Sequence, residues 1–159
     1  MADGPARLDD ALEKALSYLQ KRDRTAAQVS AKLEALGIDG ETAAAAIEEL
    51  QGQGFIDDAR FARLFAEDRR NLDGWGSERI IAALNESGID EEAIAAALEG
   101  RGRDEELADA IALLDRKMAQ PPEDDRERER ALGLLVRRGY ELELAYDAVR
   151  AFESAGSRG

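Results

Sequence analysis

An all-α fold of three tandem three-helix repeats is predicted by three observations. Leu33-x-x-x-Gly37-Ile38-Asp39 recurs as Leu84-x-x-x-Gly88-Ile89-Asp90 and again as Leu135-x-x-x-Gly139-Tyr140-Glu141, so the glycines stand 51 residues apart both times. Apolar residues return at helical spacing through most of the chain. No segment alternates apolar and polar residues as a half-buried strand would. A constant period means one structural unit reused. Units of about 50 residues have thin cores, so neighbours are expected to pack end to end into an elongated, curved array.

The first helix is marked by Leu8, Leu12, Ala15, Leu16 and Leu19 on one face. Thr25, with Gln28 three residues on, has the pattern of a capping box and opens a second helix carrying Val29, Leu33 and Leu36. Gly37 stands where a left-handed C-terminal cap is wanted. Asp39 then caps a third helix with Ala43, Ile47 and Leu50 inward. The order repeats. Phe61, Leu64, Phe65 and Leu72 mark the fourth helix, capped by Asp57 or Asp58. Ile80, Ile81 and Leu84 mark the fifth, with Ser77 as its cap, and Ile94, Ala97 and Leu98 follow Asp90 in the sixth.

The third unit has Leu107, Ile111, Leu114 and Met118, then Leu132, Leu135 and Val136, then Leu142, Ala145, Tyr146, Val149 and Phe152. Pro121-Pro122 separates its first two helices, and the acids Glu123 to Asp125 suit the start of the second. Gly52-Gln53-Gly54 and Gly100-Arg101-Gly102 set the expected boundaries: repeats at 7–53, 54–101 and 102–153, with mobile termini at 1–6 and 154–159.

Composition narrows the function. The chain has 159 residues, 36% of them charged, and neither cysteine nor histidine. Disulfides, Cys or His metal sites and the usual nucleophilic triads are thereby excluded. Catalysis would need carboxylates, Lys, Tyr or Ser, and none stands with an evident partner, so no enzyme, cofactor or metal is expected. No apolar run approaches the ~20 residues that span a bilayer. Met1 to Arg7 lack the apolar centre of a secretory signal. A cytoplasmic protein with no membrane partner is the expectation. The net charge of −13 opposes nonspecific binding to nucleic acid and favours a protein partner.

Individual motifs have competing readings. The Gly-Ile-Asp phrases could be anion-binding turns, but no Lys or Ser/Thr follows as in a phosphate loop, and helix termination and capping explain them fully. Asp57-Asp58 reads as a cap rather than a metal or acid–base pair. Trp75, between Gly74 and Gly76, is either a core plug or an exposed contact residue. Arg60, Arg63, Arg69, Arg70 and Arg79 form a modest basic group, and residues 55–80 hold five basic and six acidic side chains. The group is either a set of salt-bridged surface residues or a row that touches an acidic partner or a phosphate backbone.

The run Leu50-x-x-x-Gly54-Phe55-Ile56-Asp57-Asp58-Ala59-Arg60-Phe61-Ala62, with Arg69 and then Gly74-Trp75-Gly76-x-x-Arg79-Ile80-x-x-x-Leu84, resembles the RecX family of recombinase regulators. Ala15-Leu16-x-Tyr18-Leu19-x-x-Arg22-x-Arg24-Thr25 is similar to that family's first unit. The resemblance covers about residues 10–153. It implies three tandem three-helix repeats and a non-enzymatic regulator that binds RecA and the RecA–single-stranded-DNA filament in the filament groove. Suppression of ATP hydrolysis, strand exchange and coprotease activity would then modulate homologous recombination, DNA repair and the SOS response. Some relatives are basic and bind DNA weakly, whereas this chain is acidic, so intrinsic DNA binding is expected to be weak or absent. Arg60, Arg69, Arg70, Trp75 and Arg79 are the expected partner-binding residues, and a monomer the expected state. A helix-turn-helix DNA-binding module and a generic helical scaffold are the rival readings.

Overall fold

The computed structural model describes residues 4–157. Nine helices and no strand occur among the described residues: α1 Gly4–Leu19, α2 Ala26–Ala35, α3 Gly40–Gly52, α4 Asp58–Asp73, α5 Ser77–Glu86, α6 Glu91–Ala97, α7 Arg103–Lys117, α8 Asp125–Arg137 and α9 Leu142–Ser157. α1 and α9 continue through residues 4–6 and 154–157, which the sequence assigned to mobile ends. The remainder of those ends, residues 1–3 and 158–159, lies outside the described residues.

The described residues fall into two compact units. One holds those up to Arg63 together with Leu84–Ala96; the other holds Leu64–Ala83 together with those from Ala97 onward. The middle sequence repeat thus contributes to both. In the first unit α1, α2 and α3 pack together over Ala15, Val29, Leu33, Ala46, Leu50 and Ile56. In the second, α7, α8 and α9 enclose Leu113, Leu114, Leu135, Tyr140, Ala145 and Val149.

The repeated phrase builds the same turn three times. Gly37, Gly88 and Gly139 have φ of 85°, 81° and 96°, the left-handed region that suits glycine. The residue after each glycine donates its N–H back across the turn: Ile38 to the Leu33 carbonyl at 3.0 Å, Ile89 to Leu84 at 3.1 Å, Tyr140 to Leu135 at 3.1 Å. This bond answers a carbonyl that the helix end leaves unpaired. Each repeated Leu is fully buried beneath its turn.

Helix starts follow the sequence in most places. Thr25 and Gln28 form the expected capping box, with Oγ1 accepting the Gln28 N–H at 3.1 Å and Oε1 accepting the Thr25 N–H at 3.0 Å. Asp39, Asp90 and Asp124 each accept an N–H three residues on. Asp57 caps α4 through the Arg60 N–H at 3.0 Å. Asp58 instead accepts the Ala26 N–H at 2.9 Å, at the start of α2. Ser77 does not cap α5; it is that helix's first residue. Its N–H (3.2 Å) and hydroxyl (2.6 Å) both donate to the Glu106 carboxylate of α7, so the cap comes from 29 residues downstream.

The apolar stripes differ from expectation at several positions. Leu64 and Leu72 of α4 are 43% and 71% exposed, while Ala62 and Ala66 are buried. Leu142 and Tyr146 of α9 are also exposed, while Leu144 and Ala148 are buried. Leu36 and Val136, assigned inward-facing places, are likewise exposed. In α4 the small residues Ala62 and Ala66 carry the buried face, and the larger Leu64 and Leu72 lie at the surface.

One docking seam occurs in each unit, one period apart. In the first unit the Thr25 hydroxyl donates to the Ser87 carbonyl at 2.6 Å, and a Cβ added to Gly88 would lie 2.3 Å from the Ala27 Cβ. In the second, the Gly76 N–H donates to the Arg138 carbonyl at 2.7 Å, and a Cβ on Gly139 would lie 2.3 Å from the Arg79 Cβ. Thr25 and Gly76 are 51 residues apart, as are Ser87 and Arg138. Each seam sets the start of one helix on the glycine turn at the end of another. A hydroxyl in the first seam and a backbone N–H in the second meet a carbonyl that the other helix end leaves free.

Candidate functional site

The Gly74–Gly76 segment joins α4 to α5 in the second unit. Gly74 has a φ of 68° and takes its place over Leu113, whose Cδ1 a Cβ would approach to 2.8 Å. Gly76 lies so close to the Gly139 carbonyl that a Cβ would come within 2.6 Å of it. Four hydrogen bonds hold the segment to the α8–α9 turn. They are Gly76 N–H to Arg138 C=O, Glu78 N–H to Gly139 C=O at 3.0 Å, the Arg138 guanidinium to Asp73 C=O, and the buried Tyr140 hydroxyl to Gly74 C=O at 3.1 Å. The two glycines therefore serve backbone approach, and the residue between them is turned outward.

Trp75 is half-buried, between the two readings its sequence allowed. Its ring meets Phe65 edge to face at 6.1 Å between centroids, with 73° between planes. The Arg79 guanidinium lies over the indole, 4.0 Å from its centroid, and donates to the Arg137 carbonyl at 3.2 Å. Arg69 stands 5.9 Å from both aromatic centroids and pairs with Asp73 one turn along α4. A guanidinium stacked on an aromatic face keeps in-plane donors for a carboxylate or phosphate while its flat side is desolvated. Arg69, Trp75 and Arg79 thus form a pre-organised amphipathic patch within the second unit.

The other two predicted residues are placed differently. Arg70 has a side chain only 12% exposed, with its Nε 4.0 Å from Asp109, which is also paired with Arg101. Burial, then the nearby Arg101 charge, push the Arg70 guanidinium below its ordinary range, and burial raises the Asp109 carboxyl despite the cationic Arg101, Arg70 and Arg116. Arg70 ties α4 to α7 and presents little to a partner. Arg60 belongs to the first unit, where its guanidinium returns to the Gly54 carbonyl at 3.3 Å. Sequence reasoning missed Arg138 and Tyr140 as the holders of the Trp75 segment. The signal available was the period itself, which puts Gly76 in register with the capping residue Thr25.

No metal-binding cluster and no helix long and apolar enough to cross a membrane occur among the described residues. Residues 11–50 match the family model described as RecX, first three-helix domain, and residues 57–98 that described as RecX, second three-helix domain. Regulatory protein RecX of Xanthomonas campestris pv. campestris is 34% identical over 131 residues, covering 82% of this chain and 80% of the relative. Regulatory protein RecX of Mycolicibacterium vanbaalenii is 32% identical over 162 residues, covering 92% and 88%. The crystal structure of RecX from Lactobacillus salivarius has the same fold, with a TM-score of 0.79 at 20% identity over 97% of this chain and 99% of that one. The chain belongs to the RecX family of regulatory proteins.

Proposed function

We propose that the chain binds RecA and lies in the groove of the RecA–single-stranded-DNA filament. It lowers ATP hydrolysis, strand exchange and coprotease cleavage there, and so tempers homologous recombination, DNA repair and the SOS response. It acts as a cytoplasmic monomer and catalyses nothing itself. The observation that carries this reading is the family match, which spans the Arg69–Trp75–Arg79 segment. That patch is the proposed filament contact, with Arg60 a further candidate. A guanidinium-on-indole surface suits a carboxylate-bearing protein face, and Trp and Arg are the residue types most enriched at binding hot spots. The net charge of −13 favours this over a sequence-independent grip on duplex DNA.

The test is ATP hydrolysis by the cognate RecA on single-stranded DNA, titrated with this protein. Inhibition is expected at fewer copies of the regulator than of RecA. Trp75→Ala with Arg79→Glu should weaken it about tenfold or more while helicity by circular dichroism is unchanged, the loss expected of a central Trp–Arg anchor. No inhibition up to equimolar protein would remove the filament reading. Tight duplex binding that falls steeply with salt would replace it with a DNA-binding module.

A further inference from the structure

The glycine turn that receives a helix start at Gly88 and Gly139 is present a third time at Gly37, with none of the described residues on it. A Cβ added to Gly37 meets no atom of the described residues within 4 Å, whereas the equivalent positions would collide with Ala27 and Arg79. Leu36 is in register with Ser87 and Arg138, whose carbonyls accept hydrogen bonds from the docked helix starts. Leu36 is 42% exposed. The backbone is the same in all three copies, so the Leu36–Gly37 surface has the shape of a seat whose occupants are known from the other two.

Charge adds an independent constraint. Between residues 14 and 32 the chain carries Lys14, Lys21, Arg22, Arg24 and Lys32 against the single acid Asp23, an island of positive charge in a chain of net −13. Among the described residues Lys21, Arg22, Arg24 and Lys32 have no ion-pair partner, and Lys14 pairs only with Asp10 on its own helix. Three of these lysines line a shallow recess of about 260 Å³ together with Ser17, Tyr18 and Leu36, so the island adjoins the empty turn. The Tyr18 ring is already engaged by Arg24 at 4.1 Å and Lys32 at 5.5 Å from its centroid. That engagement leaves it poorly placed to stack a nucleic-acid base. Ammonium groups beside an exposed leucine and a free carbonyl end match carboxylates at a helix start, because acidic side chains concentrate in first turns next to unpaired N–H groups.

We propose that the Leu36–Gly37 turn and the lysines beside it dock the first turn of an acidic helix on a partner protein, repeating the chain's own internal seams between molecules. The probe is a C-terminally labelled alanine-rich helical peptide of about 16 residues with a serine cap and three glutamates in its first turn. Its control has the same composition with the glutamates in the last turn. Fluorescence anisotropy should give saturable binding of the first peptide and at least about tenfold weaker binding of the control.

Gly37→Asn is the diagnostic variant. Asparagine tolerates the left-handed conformation, so the fold should persist by circular dichroism, while its side chain occupies the seat. It should lose about tenfold in affinity, as should Lys21→Glu with Lys32→Glu. Equal binding of the two peptides, or undiminished binding by Gly37→Asn, would overturn the proposal. So would displacement of the peptide by a thymidine oligonucleotide of equal charge, which would make the island a phosphate surface. Self-association in sedimentation that Gly37→Asn abolishes would assign the seat to a second copy and overturn it equally. RecA is absent from every arm, so the outcome is separate from that of the ATPase titration.

Discussion

Gly37, Gly88 and Gly139 share one backbone conformation but meet three different surroundings. At Gly37 an added Cβ touches none of the described residues; at Gly88 it strikes the Ala27 Cβ; at Gly139 it strikes the Arg79 side chain and backbone, with the Arg79 N at 2.6 Å. Alanine at Gly37 should therefore carry only the left-handed penalty, about 1–2 kcal/mol. Gly88→Ala adds a clash with one Cβ, which is fixed to its backbone, so the start of α2 must shift. Gly139→Ala adds a backbone clash, and overpacking of that kind costs about 1–3 kcal/mol more. Gly88→Val, β-branched as well, should exceed Gly88→Ala. Urea midpoints should fall in the order Gly37, Gly88, Gly139. Three equal shifts would mean that conformation alone matters and that the seams are not tight.

Elements were legible in the sequence where the signal is local. Thr25 with Gln28, the three glycines, Asp39, Asp90 and the Pro121-Pro122 break all act within a few residues, and each holds in the structure. What failed was tertiary in origin. Ser77 has the chemistry of a cap, but Glu106 supplies the carboxylate, and no local pattern announces a partner 29 residues away. The buried alanines Ala62, Ala66 and Ala148 carry helix contacts that a search for large apolar residues assigns to their neighbours.

The α4–α5 connection is another element defined from outside, and it gives a pH prediction. The Tyr140 hydroxyl donates to the Gly74 carbonyl from a position only 1% exposed. Burial pushes that phenol well above its ordinary value, with the Asp109 and Glu106 charges adding to the shift. The native state therefore holds the proton more tightly than the unfolded chain. The stabilisation is complete below the unfolded value of about 10 and is lost as pH rises beyond it. Tyr140→Phe should cost about 1–2 kcal/mol at neutral pH, since a buried carbonyl loses its donor. The variant should also lose less stability than the parent between pH 10 and 11.5 (roughly the span above the free phenol's value). Parallel decline of the two proteins in alkaline denaturation would refute the linkage.

At the scale of the whole molecule, one period does not mean three independent cores. The chain repeats its phrase three times, yet its packing forms two compact units, with α4, α5 and α6 contributing to both. The seams account for this: the turn at Gly88 closes on the start of α2, and the start of α5 closes on the turn at Gly139. In repeat proteins stability is a sum of local and nearest-neighbour terms, so damage should stay near its origin. Leu33 and Leu135 are equivalent positions, both fully buried, in the cores of the first and second units respectively. Truncating either to alanine removes the same side chain and should cost about 2–5 kcal/mol. Native-state hydrogen exchange separates the two outcomes, because it reads opening energies amide by amide. Leu135→Ala should lower protection chiefly in α7, α8 and α9 while α1, α2 and α3 keep theirs, and Leu33→Ala should do the converse. A uniform loss across all the described helices in either variant would mean that the two units unfold as one.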